Sequence, residues 1–238
     1  MSASTVAKPS STSAYATPAF WERLWRTAGV QAVGLFIIGY VLYGYQPHVG
    51  ASPDTVAAFY AGNSARILIA SVLFGLSTLN LLWFAAALRT TLADAEQDGW
   101  GAAATAASSA AGALFLMVIA VTAALAYSIA GSGNRTLTSG LNDFVWAFVV
   151  LSSFPRAMLT MSAAFGLWRA RMISNALFAV GVAAVVLTLA GGTTWLSSGI
   201  WAPDGIYSRL ASPIIGVVWL LVVSQVLLTR SSANRAGW

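Results

Sequence analysis

The chain has 238 residues, of which 58% are hydrophobic and only 8% charged, with a formal net charge of +5. So few charges cannot cover a water-soluble domain, which excludes an ordinary globular protein and makes lipid the expected solvent. The basic residues stand singly at the ends of apolar blocks and form no stripe, which argues against nucleic acid as a partner. The absence of cysteine excludes disulfides, thiolate metal sites and cysteine nucleophiles.

Residues 1–17 are polar and rich in Ser, Thr and Ala, the composition of a disordered tail, and they lack a signal peptide's pattern. From Pro18 to Arg26, Thr17 can cap a helix and Pro18 fits its first position. Phe20, Trp21, Leu24 and Trp25 would share one face and Glu22, Arg23 and Arg26 the other, the pattern of a helix lying in the membrane interface.

Six apolar blocks follow, at 28–45, 67–88, 106–130, 144–168, 173–195 and 210–228, each close to the roughly 20 residues that cross a bilayer core. The expected fold is all-α: a polytopic transmembrane bundle of six spans over residues 18–230, closed by a cytoplasmic tail at 231–238. Between the first two blocks, Ser52 as cap and Pro53 at the first position predict a short helix whose Val56, Phe59 and Tyr60 face the membrane or the bundle. In the third block Ala104, Ser108 and Gly112 carry the small-residue spacing that lets helix backbones approach closely. Ser71 and Gly75 repeat it in the second.

Orientation follows from the basic residues. Lys8, Arg23, Arg26, Arg89, Arg169, Arg171, Arg230 and Arg235 fall on one side, against Arg66, Arg135 and Arg209 on the other. Eight against three places both termini in the cytoplasm and the protein in the cell membrane. Trp25, Trp83, Trp100 and Trp168 then fall near the inner boundary, and Tyr45, Trp146, Trp195 and Trp201 near the outer one. Trp219 lies near mid-span.

Arg156 sits about midway along the fourth block, where a guanidinium costs at least ~3 kcal/mol on insertion scales. No Asp or Glu lies within any span, and Asp143 is roughly 20 Å away along the helix. Pro155 removes a backbone donor and frees the carbonyl of Leu151, which can bend the helix and supply an acceptor. Asn80, Gln31 and Gln225 are the other strongly polar side chains in the spans, and Trp219 is at a depth from which its ring face could meet the guanidinium. These five residues form the candidate ligand-binding group. Two readings stay open: Arg156 lines a polar cavity and holds an anion, or it is a hydrogen-bond hub fixing the second, fourth and sixth spans.

On the outer side, Asp54, Arg66, Asp143 and Asp204 form a second candidate group, with Asp54–Arg66 and Asp204–Arg209 as expected local pairs. His48 on the same side has no second His at ligand spacing, so neither a metal site nor a haem site is expected. No span carries the carboxylate or His of a proton-coupled carrier, or the Lys of a retinal protein.

The run Ala57–Arg89 (AAFYAGNSARILIASVLFGLSTLNLLWFAAALR), the stretch Ser139–Met158 (SGLNDFVWAFVVLSSFPRAM) and Ala202-Pro203-Asp204-Gly205 resemble an uncharacterised family of six-helix integral membrane proteins common in actinobacteria. The likeness covers roughly residues 25–230 and implies architecture and location only, with no activity attached.

The expected function is a non-enzymatic bundle without catalytic residues, cofactor or metal, serving as an accessory or assembly component or binding a lipid-like ligand. Its partners would be the lipid bilayer, a lipid-like or anionic ligand, and a membrane-protein partner or a second copy. The alternative is a transporter or channel for a small anionic or amphiphilic solute using Arg156, and an intramembrane enzyme comes third.

Overall fold

The computed structural model describes residues 18–233, with side chains for 27–229. The expected tail at 1–17 lies outside the described residues. Among those described there are eight α-helices and no strand.

Helix α1 (Pro18–Tyr43) runs unbroken through the segment read from sequence as an interfacial helix. The side chains of 18–26, on which that reading rests, lie outside the described ones. Gly44, at φ 77°, ends α1 and turns the chain across the end of the bundle. A side chain there would stand 3.0 Å from the Arg66 guanidinium, a second reason for glycine.

Helix α2 (Pro53–Gly62) starts as its sequence dictates. Ser52 accepts the amide of Thr55 at 3.2 Å, and Pro53 occupies the first turn, where no amide is needed. Its Val56 and Tyr60 are buried against Tyr43, Ile67 and Leu125, so α2 closes one end of the bundle. Burial of a side chain such as Val56 is worth roughly 1.5–3 kcal/mol.

Helix α3 (Ser64–Ala93) and helix α4 (Asp98–Ala124) are joined by a four-residue turn. The third block therefore begins eight residues earlier than its hydropathy predicts, because the weakly apolar stretch of Ala, Ser and Gly packs against α3. Ala104, Ser108 and Gly112 are buried, Gly112 lies against Thr78 and Leu82, and a Cβ on Gly101 would touch the Arg89 backbone at 3.2 Å. Ser71 is also buried, but Gly75 faces open space. A wider turn at Leu125–Ile129 and a tight one at Ala130–Ser132 extend α4 to Gly133.

Helix α5 (Arg135–Leu151), capped by Asn134 on the Leu137 amide, meets helix α6 (Ser153–Arg169) at the single residue Ser152. The helix is thus interrupted three residues before Pro155, where a bend was expected. Helix α7 (Asn175–Gly191) is capped by Ser174, and helix α8 (Ser212–Ala233) follows a wide turn at Tyr207–Ala211. The fifth block is shorter than expected, since the chain leaves helix at Gly191 and residues 193–206 form the connection to α8.

Four helical stretches are long and apolar enough to cross a membrane: Ser64–Ala93, Asp98–Ser132, Arg135–Arg169 and Tyr207–Thr229. Thr27–Tyr43 and Asn175–Gly191 are shorter apolar helices. Helix α1 packs on α3 and α8, α3 on α4, α4 on α6, and α7 on α6 and α8. The α3–α4 and α6–α7 turns, with Arg89, Arg169 and Arg171, lie at one end. Helix α2 and Arg66, Arg135 and Arg209 lie at the other.

Candidate functional site, a cavity around Arg156

Helices α1, α3, α4, α5, α6 and α8 surround a cavity of about 250 Å³. Its walls are mainly apolar and include Phe36, Phe74, Phe84 and Phe115, while Arg156, Arg209 and Gln46 are among the polar residues that line it.

Arg156 stands on the first turn of α6, just past the α5–α6 junction. Its Nε donates to the Ser152 carbonyl at 3.3 Å, and its Nη2 donates to the hydroxyls of Ser153 at 2.9 Å and Ser212 at 3.3 Å. Gly191 closes α7 against both serines, where a Cβ would come within 2.8 Å of each hydroxyl. Neutral acceptors thus hold the guanidinium on one side. Among the described residues Nη1 has no hydrogen-bond partner, and no carboxylate faces the group. Neutral oxygens alone therefore offset the cost of placing this cation in a mainly apolar cavity.

Trp219 lies two turns beyond Ser212 on α8, at 4% exposure, and its indole Nε1 has no hydrogen-bond partner. Buried donors are nearly always satisfied, so this one is an exception within the bundle. The expected stacking of Arg156 on this ring is not what the structure has. Among the described residues the guanidinium over aromatic rings is that of Arg209, 3.9 Å from the Tyr45 centroid and 4.7 Å from that of Trp146.

Arg209 contrasts with Arg156 in being fully engaged. Both its terminal nitrogens donate to the Gln46 carbonyl at 3.1 Å, and Nε donates to the backbone carbonyl of Asp204 at 3.1 Å. The expected Asp204–Arg209 pair is therefore a contact to the main chain. Around Arg209 the end of the cavity nearest α2 is covered by a buried network. Asn142 accepts from Gln46 at 3.1 Å and from Tyr60 at 3.3 Å, and the Trp146 indole donates to the Pro47 carbonyl at 3.0 Å. Tyr43 and Tyr60 share a hydroxyl contact at 3.2 Å. Trp146, expected at the lipid interface, is instead buried beneath this cover.

The other predicted residues separate. Asn80 is half-buried and donates to the Leu76 carbonyl of its own helix, Gln31 bonds to Thr27, and Gln225 is exposed on α8. None of the three lines the cavity. Arg156 does join α6 to α8 through Ser212, which links the fourth and sixth blocks but leaves Asn80 and the second out of the contact. At the α2 end of the bundle Asp54 pairs with Arg135 rather than with Arg66, and Asp143 accepts the Gly50 amide at 3.2 Å. His48 is exposed and contacts the carbonyl of Val49. Among the described residues no three His, Asp or Glu side chains come together.

Ser153, Ser212, Asn142 and Gln46 were not legible as site residues. The helical spacing of Ser212, Gly216 and Trp219 was an available signal, because it puts all three on one face of α8. Compared with known proteins, the chain matches no family model, no curated protein and no solved structure.

Proposed function

We propose that the protein is a six-span bundle of the cell membrane, with both termini in the cytoplasm, that binds a single-chain amphiphile through its acidic group. Thr27–Tyr43 and Asn175–Gly191, about 26 Å long at 1.5 Å per residue, complete the count of spans. The observation that carries the reading is the Arg156 guanidinium, held by neutral oxygens on one side and open to an apolar cavity on the other. An anionic headgroup would supply the missing charge, and the phenylalanine walls would take the chain. A volume of about 250 Å³ is at the small end for ligand sites, which favours one chain over two.

The hydrogen-bonded cover at the outer end supports binding rather than conduction, since passage would require breaking the Arg209–Gln46 and Asn142 contacts together. Extraction of the purified protein, followed by mass spectrometry of the lipids, tests the reading. An acidic single-chain lipid enriched in the parent and missing from a folded Arg156→Met variant is the expected result. Equal lipid content in the two would contradict it.

A further inference from the structure

We infer that the amphiphile is drawn from the bilayer through a mouth between α1 and α8, and that its chain passes out there while its acidic group stays at Arg156. This rests on the proposed binding of an acidic amphiphile and specifies where that ligand enters and where its tail lies. Size makes an exit necessary. At about 250 Å³ the cavity falls below the roughly 300–1,000 Å³ of sites that enclose a drug-sized ligand, so a long chain is not housed whole.

The seams around the cavity leave one place for the chain. Helix α3 packs on α1 and α4, and α4 packs on α5 and α6. The seam between α6 and α8 is covered by α7, where Gly181 meets Trp219 and Ala164, and Gly191 meets Ser153 and Ser212. The seam between α1 and α8 is closed over only part of its length. At the end away from α2 the two helices touch, since a Cβ on Gly29 would collide with the Ser224 hydroxyl, and Ala28, Ala32 and Val223 beside them are buried.

Phe36 and Val217 stand seven residues closer to the α2 end on their helices, about 10 Å along each. There Phe36, Tyr40, Pro213, Gly216 and Val217 all line the cavity and are all partly exposed, and a Cβ on Gly216 would meet nothing within 4 Å. Their neighbours Ile37, Ile214 and Val218 are exposed, so the cavity lining runs on into the apolar surface of the bundle. The wide turn Tyr207–Ala211 packs on α8 rather than on α1. Tyr40 bridges the interval, its hydroxyl donating to the Arg209 carbonyl at 3.2 Å, and so bounds the mouth at its α2 end.

The test uses a hexadecyl phosphate with a photoactivatable diazirine at mid-chain, bound to the full chain in phosphatidylcholine nanodiscs, irradiated, and mapped by peptide mass spectrometry. Adducts on α1 around Phe36 and on α8 around Val217, lost with excess oleyl phosphate and lost in Arg156→Met, are expected. Adducts that are lost in the same way but lie on other helices overturn the mouth and leave the acidic-amphiphile reading standing. Labelling in which neither excess oleyl phosphate nor Arg156→Met removes any adduct overturns both. Competition on the parent decides the matter even if Arg156→Met fails to fold.

Discussion

Gly181 of α7 faces the indole of Trp219 on α8 so closely that a Cβ on the glycine would lie 2.6 Å from the ring and 2.8 Å from Ala164 on α6. Three helices meet at this point, and the ring between them forms the cavity wall. Gly181→Ala is expected to destabilise the protein by about 1–3 kcal/mol, the usual result of overpacking a filled core. Thermal unfolding in detergent measures it, and an unchanged Tm would mean that the ring is free to shift.

Arg156 and Arg209 line one cavity, yet they predict opposite outcomes. Arg209→Met leaves the Gln46 and Asp204 carbonyls without their charged donor and should cost about 2–3 kcal/mol. Arg209→Lys should recover only part, because an ammonium cannot make the forked contact or the ring stacking. Arg156→Met removes a charge without a counter-ion and should leave stability unchanged or raised while abolishing ligand binding. Unfolding and binding measured on the same preparations separate the two.

Gly216→Val should fold at least as well as the parent, since it removes a glycine from a helix interior and its Cβ enters open space. The added methyls would enter the cavity that Gly216 lines. Loss of ligand with an unchanged or higher Tm is the expected result, and full ligand binding would place the ligand elsewhere.

The helical framework was legible because apolar length and single basic residues are one-dimensional signals. The cap of α2 at Ser52 and Pro53 is of the same kind. Arg156 stood out because a mid-span charge is costly wherever its neighbours are. Its partners were not legible, since Asn80, Gln31 and Gln225 share its polarity but their rotation about their helices turns them away from the cavity. The outer cover was missed for a related reason. Asn142 reads as a loop-edge residue until α2 and residues 44–50 fold over it.

Tyr60, within that cover, predicts the alkaline behaviour of the outer end. Burial pushes its phenol up to about 12, against which the contacts with Tyr43 and Gln46 act more weakly. A phenol raised above its unfolded value of about 10 favours the folded state below that pH, and the stabilisation is lost as pH rises from about 10 to about 12. Tyrosinate absorbance together with unfolding should show the cover loosening in that window. Tyr60→Phe should reduce the loss over the same window.

The absence of cysteine makes topology directly testable. A single Cys at Ser197, exposed in the α7–α8 connection, should react with an impermeant maleimide in intact cells. One at Glu96, in the α3–α4 turn, should react only after permeabilisation. The reverse pattern would invert the proposed orientation.

The most direct test is a binding isotherm of oleyl phosphate and of oleyl alcohol on the detergent-purified protein, two probes with one chain and different heads. One-to-one binding of the phosphate, with the alcohol bound far more weakly, is the predicted result. Equal binding of both would mean that the cavity selects only for an apolar chain and that the charge of Arg156 recognises nothing.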